Sequence, residues 1–202
     1  MPLQSARSSM PPSSCGGHEG TKQMRLEEQC ACQEAILAAA RQMCTAARTA
    51  PKTRGMDSIS SIVLTGGDLL QLIRKMEEIE STNPDCTPIF CRDAALVKIS
   101  AAVVLIGSRR KIRGLQPCGL CGFGNCRGMS ASGGGHCAYD DIDLGIAVGS
   151  AISIAADLRI DNRVVYSAGI AAQMLGLLGP EIETTLAVLL SAMPRNPYFA
   201  RK

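Results

Sequence analysis

Apolar and polar positions along this chain follow two different periods. From Arg25 to Arg48, RLEEQCACQEAILAAARQMCTAAR sets Ile36, Ala39, Ala40 and Met43 at helical spacing among strong helix formers, which predicts a helix ending before TAPKTRG. SISSIVLT then predicts a strand. GGDLLQLIRKMEEIES predicts an amphipathic helix with Gly66-Gly67 as a turn and Asp68 as its cap, and ISAAVVLIG a buried strand running to Gly107. Further on, YDDIDLGIAVGSAISIAADL is apolar on nearly all sides over helical length, as expected of a helix through the middle of a core. Its small residues Gly145, Ala147, Gly149, Ser150 and Ala151 let neighbours approach closely. SAGIAAQMLGLLG predicts another helix, stopped by Gly179-Pro180, and TTLAVLLSA a strand. Helices and short strands alternate without internal repeats, which defines a single mixed α and β domain.

That domain is expected over residues 24 to 202. Residues 1 to 23 are rich in Ser, Pro and Gly and poor in large apolar groups; they cannot bury enough surface to offset the entropy of ordering, and predict a disordered tail. A chain of 202 residues, 46% hydrophobic, is long enough for one sizeable core. The net charge of +3 is far from the basic balance that marks a nucleic-acid protein, and three Phe, three Tyr and no Trp leave little for stacking on single strands. No uninterrupted apolar run approaches the about 20 residues of a membrane span: Lys98 interrupts ALVKISAAVVLIG, while Asp143 and Asp157 bracket LGIAVGSAISIAA. No signal-peptide pattern opens the chain, so a soluble, cytoplasmic protein is expected.

Ten cysteines change the picture. In a reducing compartment, clustered cysteines point to metal binding or redox chemistry rather than to disulfide staples. Cys118, Cys121, Cys126 and Cys137 follow C-x2-C-x4-C-x10-C, the ligand count for one iron–sulfur cluster or one structural zinc. Gly119, Gly122 and Gly124 favour the cluster, because they let the chain wrap tightly and turn backbone N–H groups toward the sulfides of a bulky anion, whereas zinc needs four bonds and little wrapping. The expected group is a [4Fe-4S] cluster. A thiol–disulfide couple at Cys118 and Cys121 is a further alternative, although CGLCGFG is a poor start for the helix such couples use. His136 is a possible substitute ligand beside Cys137. Cys30, Cys32 and Cys44 read as small apolar helix residues.

From Ala94 to Tyr139 there is no Asp or Glu, while Lys98, Arg109, Arg110, Lys111, Arg113 and Arg127 fall inside that window. A positive surround stabilises a reduced, thiolate-ligated cluster and would steer an acidic redox partner. The same run also reads as a solvated basic loop or, with a structural zinc, as the partner-binding face of a metal-stabilised module.

Taken in order, AARTAPKTRGMDSI, RDAALV, VVLIG, CGLCGFGNC, DLGIAVGSA and DNRVVYSAG resemble the uncharacterised ferredoxin-domain-containing proteins of prokaryotes, over roughly residues 34 to 202. That resemblance implies iron–sulfur binding and is silent on the reaction. A second one is to flavin-dependent nitroreductases. It rests on AARTAPKTRG, the central apolar helix and the late AQMLGLLGPEIETTLAVLLSAMPRNPYFARK. It implies an α+β fold with a central, mostly antiparallel sheet flanked by helices, a buried central helix, an obligate homodimer and FMN between the subunits. Lys52 and Arg54 then become candidate flavin contacts, and the terminal MPRNPYFARK an arm reaching a second subunit. The Arg-x-Ser-x-Arg segment with which nitroreductases grip the flavin phosphate has no counterpart in HEGTKQMRLEEQC. The expected function is one-electron redox chemistry at the cysteine segment, coupled or not to a flavin-dependent oxidoreductase activity.

Overall fold

The computed structural model describes residues 25 to 199; the expected tail lies outside the described residues. Six helices and four strands follow in the order α1 Glu28–Thr49, β1 Ile59–Leu64, α2 Gly67–Thr82, α3 Phe90–Lys98, β2 Ala102–Arg109, α4 Cys126–Ala131, α5 Ala138–Asp157, β3 Asp161–Val165, α6 Tyr166–Met174 and β4 Ile182–Ser191. The strands form one sheet in the order β1-β2-β4-β3, and every neighbouring pair is antiparallel. The mixed α+β architecture with a central antiparallel sheet is therefore the one expected.

Strand alternation splits the core into two layers. Ala102, Val104 and Ile106 of β2, with Val188 and Leu190 of β4, pack against Ile36, Ala40 and Met43 of α1 and against Leu144, Ala147 and Ala151 of α5. The intervening residues, Val103, Leu105, Ala187 and Leu189, face α2, α3 and α6. Because β2 and β4 are covered on both faces, they read as continuous apolar runs. All four positions that predicted α1, Ile36, Ala39, Ala40 and Met43, are buried. On the second layer, a Cβ at Gly169 would stand 2.0 Å from the Thr185 carbonyl oxygen, so glycine there lets α6 lie directly on β4.

Three elements differ from expectation. Helix α3 and strand β3 are additional, and α4 forms inside the cysteine segment. Asp68 is not the cap of α2: Gly66 occupies that position at φ +54°, which suits glycine, and Asp68 sits in the first turn. In the terminal segment Tyr198 packs into its own chain, while Phe199 is exposed. Tyr198 is buried, its hydroxyl lies 2.9 Å from Ser100 Oγ, and its carbonyl accepts a hydrogen bond from Arg163.

Candidate metal centre

Between β2 and α5 the chain has only the six residues of α4 as regular structure, and this stretch carries the four cysteines. Its base is fastened by a buried ion network. Arg113 is 1% exposed; its Nη2 lies 3.0 Å from Asp140 Oδ1 and 2.9 Å from Asp143 Oδ2, and both carboxylates are equally buried. The same guanidinium donates to Ser58 Oγ at 2.7 Å and to the Met56 carbonyl at 3.0 Å. Asp140 also accepts from the Lys111 amide at 3.0 Å. Asp143 accepts from the Thr53 amide, at 3.0 Å to the nearer oxygen, and from Thr53 Oγ1 at 2.8 Å. Arg54, in a 3-10 turn at φ +59°, donates to the Arg113 carbonyl at 2.8 Å. One guanidinium thus joins the start of the cysteine segment, the first turns of α5 and the turn after α1.

Two carboxylates share one buried cation. Burial pushes the Asp140 carboxyl above its usual range, against the opposing pull of the Lys111 amide, Arg113 and His136, and neighbouring Asp141 adds to the rise. The positions of Asp140 and Asp143, three apart on one face at the start of a largely apolar helix, were the signal in the sequence for this network.

The thiols lie along the segment whose ends this base joins. Cys118, Cys121 and Cys126 are half-buried, and Cys137 is buried at the N-terminus of α5. Cys126 opens α4, which Asn125 caps by accepting the Gly128 amide at 2.9 Å. Gly122 and Gly124 take positive φ, at +83° and +71°, supplying the turns the sequence implied. A cleft of about 300 Å³ runs beside Cys137, lined also by Lys111, Met129, Ser130 and Asp140. In donor chemistry, four thiols on one segment closed at its base fit a metal centre. Among the described residues, no three His, Cys, Asp or Glu side chains converge closely enough to hold a metal ion, so the thiols share a segment without meeting at one point.

The basic residues are less free than their acid-free window implied. Arg113 is neutralised within the network, Arg110 pairs with Glu183, and His136 lies 3.1 Å from Asp141. Arg127 is exposed next to Cys126. Lys52 donates to the carbonyls of Ala47 and Arg48, closing the C-terminus of α1, and burial lowers its pKa. Arg54 is therefore at the edge of the network, on the Arg113 carbonyl, whereas Lys52 is turned onto two carbonyls of α1.

The fold is that of the nitroreductases. A nitroreductase with bound FMN from Bacteroides fragilis superposes with a TM-score of 0.55 at 12% identity, over 82% of this chain and 81% of its own. A nitroreductase with bound FMN from Desulfitobacterium hafniense gives 0.52 at 16% identity, over 83% and 82%. Within that fold, residues 133–201 match the family model "Uncharacterized protein containing a ferredoxin domain (DUF2148)". An uncharacterised protein of Archaeoglobus fulgidus is 38% identical over 186 residues, covering 88% of this chain and 98% of its own. The chain belongs to this family of ferredoxin-domain proteins. The matched segment contains Cys137 and begins after Cys118, Cys121 and Cys126. No helix among the described residues is long and apolar enough to cross a membrane.

Proposed function

We propose that the protein is an iron–sulfur redox protein in which Cys118, Cys121, Cys126 and Cys137 hold one [4Fe-4S] cluster. The observation that carries this reading is the placement of four thiols on one glycine-turned segment whose two ends are locked together by Arg113 and Asp140. Membership of a ferredoxin-domain family supports it. When bound, such a cluster takes up and releases single electrons. The chain's own contribution is to supply thiolates, to turn the segment at Gly122 and Gly124, and to keep the buried carboxylates of Asp140 and Asp143 compensated by Arg113. Leu120 and Phe123, both exposed, flank Cys121 and leave an apolar face where a redox partner protein would approach.

Two further parts of the reading concern assembly and flavin. The outer face of α5 exposes Ile142 and Ile146 beside Gly145 and Gly149, which favours a homodimer through this helix. FMN, present in the neighbouring nitroreductase structures, would lie near the turn after α1, with Lys52 and Arg54 released from their carbonyls to meet it. Cytoplasmic placement suits free thiols.

Purification without oxygen, followed by iron, acid-labile sulfide and zinc analysis with a visible spectrum, tests the reading. Broad visible absorbance that bleaches on reduction is expected. Stoichiometric zinc in a colourless protein would replace the redox reading with a zinc-stabilised module.

A further inference from the structure

The Arg113 network is an expensive way to build a core. Buried ion pairs cost desolvation, and replacing a whole buried set by apolar or neutral residues is often neutral or stabilising, whereas removing one member is not. Here one cation meets two carboxylates, so the set is not even charge-balanced. Its contacts, however, converge on one place: the stretch leading to Cys118, the turn of α5 that follows Cys137, and the Thr53–Gly55 turn. Among the described residues, no other ion pair has both partners buried.

We propose that Arg113, with Asp140 and Asp143, is the positioning element of the cysteine segment, holding its ends together so that Cys118, Cys121, Cys126 and Cys137, which do not meet at one point in this structure, can be gathered onto one metal centre. This rests on the reading of the four thiols as a single ligand set. Effective concentration is the physical cause: tying residues 113 and 140 at the base keeps the outlying thiols in a small volume, and releasing the tie enlarges the volume each must search. The Thr53–Gly55 turn is held by Asp143, the second carboxylate on Arg113, so the turn is expected to loosen with the segment.

The test compares iron retention at matched stability. In Arg113→Met/Asp140→Asn/Asp143→Asn all three charges go, while oxygen acceptors for the Lys111 and Thr53 amides remain. Thr53→Val is a milder variant, removing one hydroxyl donor to Asp143. A control, Val97→Ala, cuts a core side chain in the layer of α2, α3 and α6. Each protein is reconstituted anaerobically with iron and sulfide, and iron release to a chelator is followed. Cysteine alkylation by iodoacetamide is followed on the metal-free proteins.

The triple variant is expected to keep helical circular dichroism, to release iron at least tenfold faster than the parent, and to alkylate faster at Cys137. Thr53→Val should release iron about two- to threefold faster, and Val97→Ala at the parent's rate. Parental release rates in the triple variant and in Thr53→Val would overturn the proposal. So would equally fast release from the control at equal melting temperature. Should the triple variant not fold, Thr53→Val decides alone. If the parent carries zinc and no iron, the redox reading fails, and the same comparison made on zinc release still decides the positioning role.

Discussion

The layer of α2, α3 and α6 and the segment from Arg113 to Asp140 are held by opposite means. The first buries Leu72, Met76, Val97, Val103, Leu105 and Leu189 against one face of the sheet, and its stability comes from area and packing. Among the described residues its buried carboxylate is Asp93, which accepts from Ser167 Oγ of α6 at 2.6 Å and pairs with the adjoining Arg92. The cysteine segment contributes little to either core: Met129 is its buried apolar side chain besides Cys137, while Leu120 and Phe123 face outward. It depends on a few buried polar contacts at its base. A region built on area resists change everywhere, whereas a region built on a clamp keeps its conformation open above the clamp, where a bound group can set it.

Perturbations of the two regions should therefore separate stability from metal content. Leu189→Ala is expected to have the largest effect, about 2–5 kcal/mol from lost burial and the cavity left behind, with iron per folded chain unchanged. Urea unfolding together with iron analysis checks both halves. Gly169→Ala comes next, at roughly 1–3 kcal/mol, since its Cβ would meet the Thr185 carbonyl and α6 would have to lift off β4.

Tyr198 gives a smaller, pH-dependent effect of about 1 kcal/mol. Burial raises its pKa above the ordinary 10.0, so as pH rises past that value the unfolded chain loses the phenolic proton before the folded one does. Stability from this group is full below about pH 10 and falls above it. A urea series from pH 8 to 11 should show that fall in the parent and a flatter profile in Tyr198→Phe. Smallest in stability is Cys118→Ser, expected within about 0.5 kcal/mol of the parent when both are metal-free. Its consequence is in the cofactor, which should be lost or crippled; likewise for Cys121→Ser, Cys126→Ser and Cys137→Ser, while Cys30→Ser, Cys44→Ser and Cys86→Ser keep it.

The elements legible in the sequence are those whose period is long and apolar. Helices α1, α2, α5 and α6 and strands β1, β2 and β4 all follow from spacing, because burial on one face or all round leaves a pattern that local chemistry does not disturb. Strand β3, DNRVV, is five residues long and mostly polar at a sheet edge, so it carries no alternation to read. Helix α3 follows closely on Pro88 and is nine residues long, and α4 is set by a single Asn125 cap among glycines. At the candidate site the thiol spacing was plain, and so was the run of cations. Where those cations go was not: Arg113 lies inside the protein because Asp140 and Asp143, nearly thirty residues away, meet it there. Only the fold brings them together.

The central claim is that Cys118, Cys121, Cys126 and Cys137 hold one iron–sulfur cluster. It is tested most directly by metal and acid-labile sulfide analysis of the anaerobically purified parent beside its Cys137→Ser variant. About four iron and four sulfide per chain are expected in the parent, with visible absorbance that bleaches on reduction, and loss of most of both in the variant. Stoichiometric zinc without sulfide in the parent, or a full cluster retained in Cys137→Ser, would contradict it.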